Sequence, residues 1–268
     1  LGGHAAAPAV GAGATGQGLE LVVDLDDLLD QRRVRGESRV GVHQPGCIGE
    51  QDQQIGLKLA EAWFQQRHNA NSQGALELNL RLEDGGGDEA TASQAFNLLI
   101  DAGVVALIGP TLSQQAFAAD PIAQRRSVPV VAPSNTATGI PQIGSFISRV
   151  SAPSTEIAPL SIAKALQLTP SIRRAAVFYA QDDAYSTSET VIFQKALTDK
   201  GLKPVTVQRT QLNDQDFQNQ ITSALRESPD LIVISAQAVD GGNLIRQLRE
   251  LGYRGAIVVG NGMNTPNI

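Results

Sequence analysis

Residues Val104–Ile140 read VVALIGPTLSQQAFAADPIAQRRSVPVVAPSNTATGI. Val104–Ile108 is an uninterrupted apolar run of strand length, and Val128–Ala132 is a second one. Between them, Ser113–Arg125 carries apolar residues at three- and four-residue spacing, which predicts a helix. A strand, a helix and a second strand in so few residues form a βα unit, and repeated units of this kind build a parallel sheet.

The same alternation extends in both directions. Upstream, the spacing predicts strands at Arg39–Val42 and Leu76–Leu82 and helices at Gln51–Arg67 and Asp88–Ala102. In the first helix Ile55, Leu59, Ala62 and Trp63 fall on one stripe, so Trp63 is expected in the core rather than as a ligand platform. Downstream, the polar loop Pro133–Pro141 and a connecting strand at Phe146–Val150 lead into a second series. Its expected helices are Ser154–Leu166, Ser186–Lys200, Asp214–Arg226 and Gly241–Leu251. Its expected strands are Ala175–Phe178, Val205–Thr210, Leu231–Ser235 and Ala256–Val259. Asp214 is a good N-cap type, while Gly201 and Gly252 stand where a left-handed helix end needs glycine. The expected fold class is therefore α/β, with two doubly wound parallel-sheet lobes and a cleft between them. Residues 39–152 form the first lobe and 153–268 the second, after a poorly assigned segment 1–38. Within that segment, Leu19–Leu29 reads as an acidic strand or helix.

Composition narrows the function classes. The 268 residues are 42 % hydrophobic and 18 % charged, ordinary for a chain that buries a core. The formal net charge is −6 and the 21 Lys and Arg are scattered, which argues against a nucleic-acid partner. No apolar run approaches the ~20 residues of a membrane span. The lone Cys47 has no internal disulfide partner, and His4, His43 and His68 lack the spacing of a zinc site, so no metal and no cofactor is expected. The first eighteen residues are small, Gly/Ala-rich and nearly uncharged, which suits a flexible tether. A processed exported N-terminus and a gene-model remnant both fit that composition.

In open parallel sheets, ligands sit beyond the carboxyl ends of strands. Ser113 follows the strand at Val104–Ile108 and also stands at the expected N-cap of the next helix, where its hydroxyl and free amides suit a carboxylate. Capping alone is the competing explanation for it. Ser134, Asn135 and Thr136 follow the strand at Val128–Ala132 with more donors than a plain turn needs. Asp182 and Asp183 suit a metal, an amino group or simply a solvated turn. Gly85–Gly87 lacks the Lys-Ser/Thr ending of a phosphate loop. Ser113 and His43 are the one serine–histidine pair to consider, and no Gly-x-Ser-x-Gly elbow accompanies them, so catalysis is not expected.

Residues 104–140, the later DDAYS at Asp182–Ser186, and the runs Asn213–Ser235 and Gly242–Pro266 together resemble the type I periplasmic binding proteins of the leucine/isoleucine/valine-binding family. The resemblance covers about Arg39 to Ile268. It implies a receptor, not an enzyme, that delivers an amino acid or a related amide or urea-like compound to an ABC transporter permease. It also implies a periplasmic or extracytoplasmic location, with lipid anchoring of a longer precursor as an alternative to free secretion. By position, Ser113 matches the serine that binds the ligand carboxylate, and Ser134 and Thr136 match the pair contacting carboxylate and ammonium. Tyr185 matches a pocket tyrosine. Gln237 falls where an aromatic residue is common, and Asn261 where leucine-type receptors place an acid. These departures, with a short first loop at His43–Glu50, point to a more polar ligand than a branched-chain amino acid. Family chains cross back to the first lobe after a segment like Gly260–Pro266, so this sequence reads as truncated at Ile268. Because fold does not fix function, a ligand-sensing regulatory module is the alternative to a transport receptor.

Overall fold

The structure is a computed structural model that describes residues 38–44, 48–71 and 78–264, with side chains over 55–67 and 78–264. The acidic segment Leu19–Leu29, Cys47, and the side chains of His43 and His68 lie outside the described set. Five parallel strands, β1 (Ser38–Gln44), β2 (Leu78–Asp84), β3 (Ala106–Ile108), β4 (Val130–Ala132) and β5 (Ile147–Arg149), form one sheet in the order β2-β1-β3-β4-β5. Helices α1 (Ile48–Asn71), α2 (Glu89–Asp101) and α3 (Ser113–Arg126) connect them. Four more parallel strands, β6 (Ala175–Ala180), β7 (Thr206–Thr210), β8 (Leu231–Ser235) and β9 (Ala256–Val259), form a second sheet in the order β7-β6-β8-β9. Its helices are α4 (Ser154–Leu168), α5 (Ala184–Asp199), α6 (Gln218–Arg226) and α7 (Ala238–Glu250).

By contacts the chain falls into two compact units. The first holds the described residues up to Thr111 together with Ala118–Pro133 and Pro141–Val150. The second holds Leu112–Phe117, Ser134–Ile140 and the residues from Ser151 onward. The start of α3 and the loop after β4 therefore pack with the later sheet.

In the second unit, side chains alternate across the sheet as strand geometry requires. Phe178, Ile232 and Ile234 meet Phe217, Ile221, Leu244 and Leu248 of the α6–α7 side. Val177, Leu231 and Val233 meet Ile162, Phe193 and Leu197 of the α4–α5 side. All five side chains of β8 are buried, which is why Leu231–Ser235 reads as a continuous apolar run rather than an alternating one. Gly201 and Gly252 follow α5 and α7 with φ of +77° and +91°, the left-handed conformation expected of them. In the first unit, Phe96, Leu99, Leu107 and Val130 are fully buried, and Asp88 caps α2 by accepting from the amides of Ala90 and Thr91.

Three local expectations are corrected. Trp63 is 58 % exposed, and Ile55 and Leu59 of the same stripe are exposed with it. The reason lies in β2, an edge strand whose outward polar groups need partners. Glu61 accepts from the Leu80 amide at 3.2 Å and Gln65 donates to the Leu78 carbonyl at 3.0 Å. This turns the polar face of α1 toward the sheet and leaves Trp63 outside under the Arg67 guanidinium, 5.0 Å from its ring. Asp214 does not cap a helix: α6 starts at Gln218, and Asp214 closes a turn by accepting from the Gln211 amide at 2.8 Å. Ser113 does not cap its own helix either, because its hydroxyl accepts from the amides of Thr136 and Ala137.

Candidate functional site

Helix α3 begins at Ser113, so Leu112 holds the cap position and the serine hydroxyl is free for other work. Its Oγ accepts from the amides of Thr136 at 3.3 Å and Ala137 at 3.2 Å, tying the helix start to the loop after β4. With both accepting positions used, the Ser113 proton is left to donate. Thr136 Oγ1 is buried without a hydrogen-bond partner. Two hydroxyl donors thus stand together, both 2 % exposed. Asn135 is buried and Ser134 half-buried beside them, and the Asn135 carbonyl accepts from Ser151 Oγ at 2.5 Å.

From this loop a hydrogen-bonded path runs through α4 to α5. The Ser154 amide donates to the Thr136 carbonyl at 3.5 Å, and Ser154 Oγ donates to Glu189 Oε1 at 3.4 Å. Ser188 of the same helix accepts from the Thr138 amide at 2.9 Å. Tyr185 OH donates to Glu189 Oε2 at 2.7 Å and accepts from the Gly262 amide at 2.7 Å. The Asn261 amide donates to Glu189 Oε1 at 3.2 Å, which joins the turn Asn261–Met263 after β9 to the cluster. The backbone there passes close enough that a Cβ at Gly260 would overlap the Glu189 carboxylate.

Tyr185 lies in the first turn of α5 rather than in the loop before it, because Asp183 caps the helix by accepting from the Ser186 amide at 3.0 Å and its hydroxyl at 2.6 Å. Gln237 begins α7 and donates to the same Asp183 at 3.2 Å. Asp182, the other member of the acidic pair, is exposed and accepts from the Leu212 amide at 2.9 Å. The pair is thus spent on a helix cap and a turn. Among the described residues no group of three or more His, Cys, Asp and Glu is arranged to hold a metal.

Ser113, Thr136, Tyr185 and Asn261 are therefore joined in one network, and Gln237 is linked to the start of the helix that carries Tyr185. Ser134 and Asn135 belong to the same loop. Reading for residues after strand ends missed Glu189, Ser154 and Ser188. Glu189 had a signal: it stands in the buried stripe Tyr185, Glu189, Phe193, Ala196 of α5, four residues from a tyrosine. Burial pushes its carboxyl above the usual carboxylate range, against hydrogen bonds from Tyr185, Asn261 and Ser154 that pull it down. Burial, with the nearby Glu189 charge, raises the Tyr185 hydroxyl well above its ordinary value, so it stays protonated.

Residues 47–268 match the family profile described as periplasmic binding protein. No curated protein matches the chain. Among solved structures, it is similar to the leucine-binding protein LivK from Thermotoga maritima, with 27 % identity and a TM-score of 0.76 over 85 % of this chain and 65 % of that one. It is similar to the branched-chain amino acid substrate-binding protein LivJ from Streptococcus pneumoniae, in complex with isoleucine, with 20 % identity and a TM-score of 0.76 over 86 % of this chain and 66 % of that one. A solute-binding protein from Rhodopseudomonas palustris, in complex with 3,4-dihydroxybenzoic acid, has 19 % identity and a TM-score of 0.71 over 85 % of this chain and 63 % of that one. The chain thus spans just under two thirds of the length of these proteins. Among the described residues no helix is long and apolar enough to cross a membrane.

Proposed function

The chain belongs to the periplasmic binding protein family, and on that premise we propose that it is an extracytoplasmic solute receptor for a small polar compound, an amino acid or a related amide or urea, delivered to an ABC transporter permease. The reading assigns no catalysis to the chain. The observation that carries it is the pair of unspent donors at Ser113 and Thr136, one hydroxyl with both accepting positions filled and one buried with no partner. An unsatisfied buried hydroxyl costs about 1–3 kcal/mol, a cost that a solute carboxylate or carbonyl removes. Ser134 and Asn135 flank this anchor, while Tyr185, Gln237 and Asn261 supply the opposite end of the solute's contacts. The isoleucine complex among the similar structures supports an amino acid as the solute, and the 3,4-dihydroxybenzoic acid complex supports the shared carboxylate as the group that is anchored.

A thermal-shift screen of the purified chain against amino acids, amides and urea tests the reading. A solute present at 100 times its Kd adds about 2.7 kcal/mol to the native state, which for a chain of this size is roughly 5–10 °C in Tm. A flat profile across the whole panel at millimolar concentration overturns it.

A further inference from the structure

We infer that the outer face of α1 is a self-association surface, on which a second copy of this chain packs its own α1 antiparallel. Ile55, Leu59 and Trp63 recur at four-residue spacing on one face of this helix and are 57, 66 and 58 % exposed, with Ala62 exposed beside them. Single exposed apolar side chains are ordinary, but a continuous stripe of three large ones marks an interaction site. The stripe is held outward. Glu61 accepts from the Leu80 amide and Gln65 donates to the Leu78 carbonyl, so turning the helix to bury the stripe would break both bonds to β2.

A second copy is the occupant because the helix complements itself in shape and charge. Antiparallel pairing about Leu59 sets Ile55 of each copy against Trp63 of the other, a smaller apolar side chain facing a larger one. The same register brings Arg67 of each helix level with position 51 of the other, between Glu50 and Asp52 in the sequence. Arg67 is exposed, and its guanidinium lies 5.0 Å from the Trp63 ring, at the edge of the stripe. Opposed helix dipoles favour the same orientation. One patch meeting its own copy, with each contact made twice, is what a closed two-fold interface requires. The 24 residues of α1 make a helix about 36 Å long. A single helix pair of that length lies at the small end of specific interfaces, so association is expected in the micromolar range. The dilute chain is then a monomer with an exposed Trp63.

Trp63 is the chain's only tryptophan, so its emission reports on this stripe alone. Sedimentation velocity and tryptophan fluorescence of the whole chain would be followed together from roughly 0.1 to 100 µM. The expected result is a monomer with water-exposed emission at the low end and a dimer with blue-shifted emission at the high end, the two signals following one curve. Leu59→Asp sets two like charges on the two-fold axis and is expected to weaken association by about a hundredfold or more. Arg67→Glu is expected to weaken it by about tenfold, and Asp52→Arg in the same chain to restore it. These positions are exposed or near the helix start, and circular dichroism checks that each variant folds. A monomer at every concentration would overturn the inference. So would a dimer whose tryptophan emission does not shift, or one that Leu59→Asp leaves intact, since the interface would then lie elsewhere. Blue-shifted emission that survives dilution would mean that another part of the same chain covers the stripe. A shift seen only on adding anionic phosphatidylglycerol vesicles would make a lipid surface the occupant. Either result would overturn the inference, and failure of Asp52→Arg to restore Arg67→Glu would overturn the antiparallel register.

Discussion

Asp120 lies on the buried face of α3, fully inaccessible, with neither carboxylate oxygen hydrogen-bonded. Its neighbours along that face, Ala116, Ala119 and Ala123, are equally buried and offer nothing polar. Burial pushes its carboxyl from the ordinary 3.8 up to about 8. A folded-state pKa raised above the unfolded value leaves full stability below pH 3.8 and removes it progressively as pH climbs toward 8. At 1.36 kcal/mol per pH unit, the loss between pH 5 and pH 8 comes to about 4 kcal/mol, a large part of a typical domain's total. Asp120→Asn keeps the shape and abolishes the titration. Urea unfolding followed by circular dichroism at pH 5, 6.5 and 8 should give a wild-type stability that falls steadily and an Asp120→Asn stability that falls much less. The two profiles are expected to diverge by several kcal/mol at pH 8. Parallel profiles would mean that Asp120 finds a charge partner or water in solution, and the reasoning from its burial would be refuted.

Three further outcomes follow from single contacts. Trp63→Ala is expected to change stability by no more than about 0.5 kcal/mol because the ring is mostly exposed; a loss above 2 kcal/mol in denaturant unfolding would mean that the ring is buried. Asp183→Ala removes the α5 cap and the anchor of Gln237, so a loss of about 0.5–2 kcal/mol is expected in the same assay. Gly260→Ala forces the backbone away from Glu189, with an expected cost of about 1–3 kcal/mol and a matching drop in solute affinity by calorimetry; wild-type affinity in this variant would mean that the close approach is not needed.

The alternation of strand and helix was legible because it depends on local pattern. Buried strands such as Leu231–Ser235 are continuous apolar runs, and glycines mark the helix ends at Gly201 and Gly252. Where the reading departed from the structure, a partner distant in the sequence decided the outcome. Trp63 was expected inside from its stripe, but the edge strand β2 draws the polar residues Glu61 and Gln65 of α1 instead. Asp214 has the right residue type for a cap, yet the Gln211 amide competes for it and the helix starts four residues later. The place of Ser113 after a strand is legible, but nothing local tells that its hydroxyl holds the amides of Thr136 and Ala137. Glu189 lies in a helix interior rather than in a loop after a strand, and its signal there is an acid within an apolar stripe.

The receptor reading meets its most direct test in calorimetric titration of the wild-type chain, Ser113→Ala, Thr136→Ala and Asn261→Ala with the solute that gives the largest thermal shift. Removing a hydroxyl that meets a charged group costs about 1.5–3 kcal/mol, roughly ten- to a hundredfold in affinity. The account predicts losses of that size for Ser113→Ala and Thr136→Ala, and a smaller one for Asn261→Ala, whose backbone amide still reaches Glu189. Unchanged affinity in both hydroxyl variants, with binding abolished by Asn261→Ala, would contradict it.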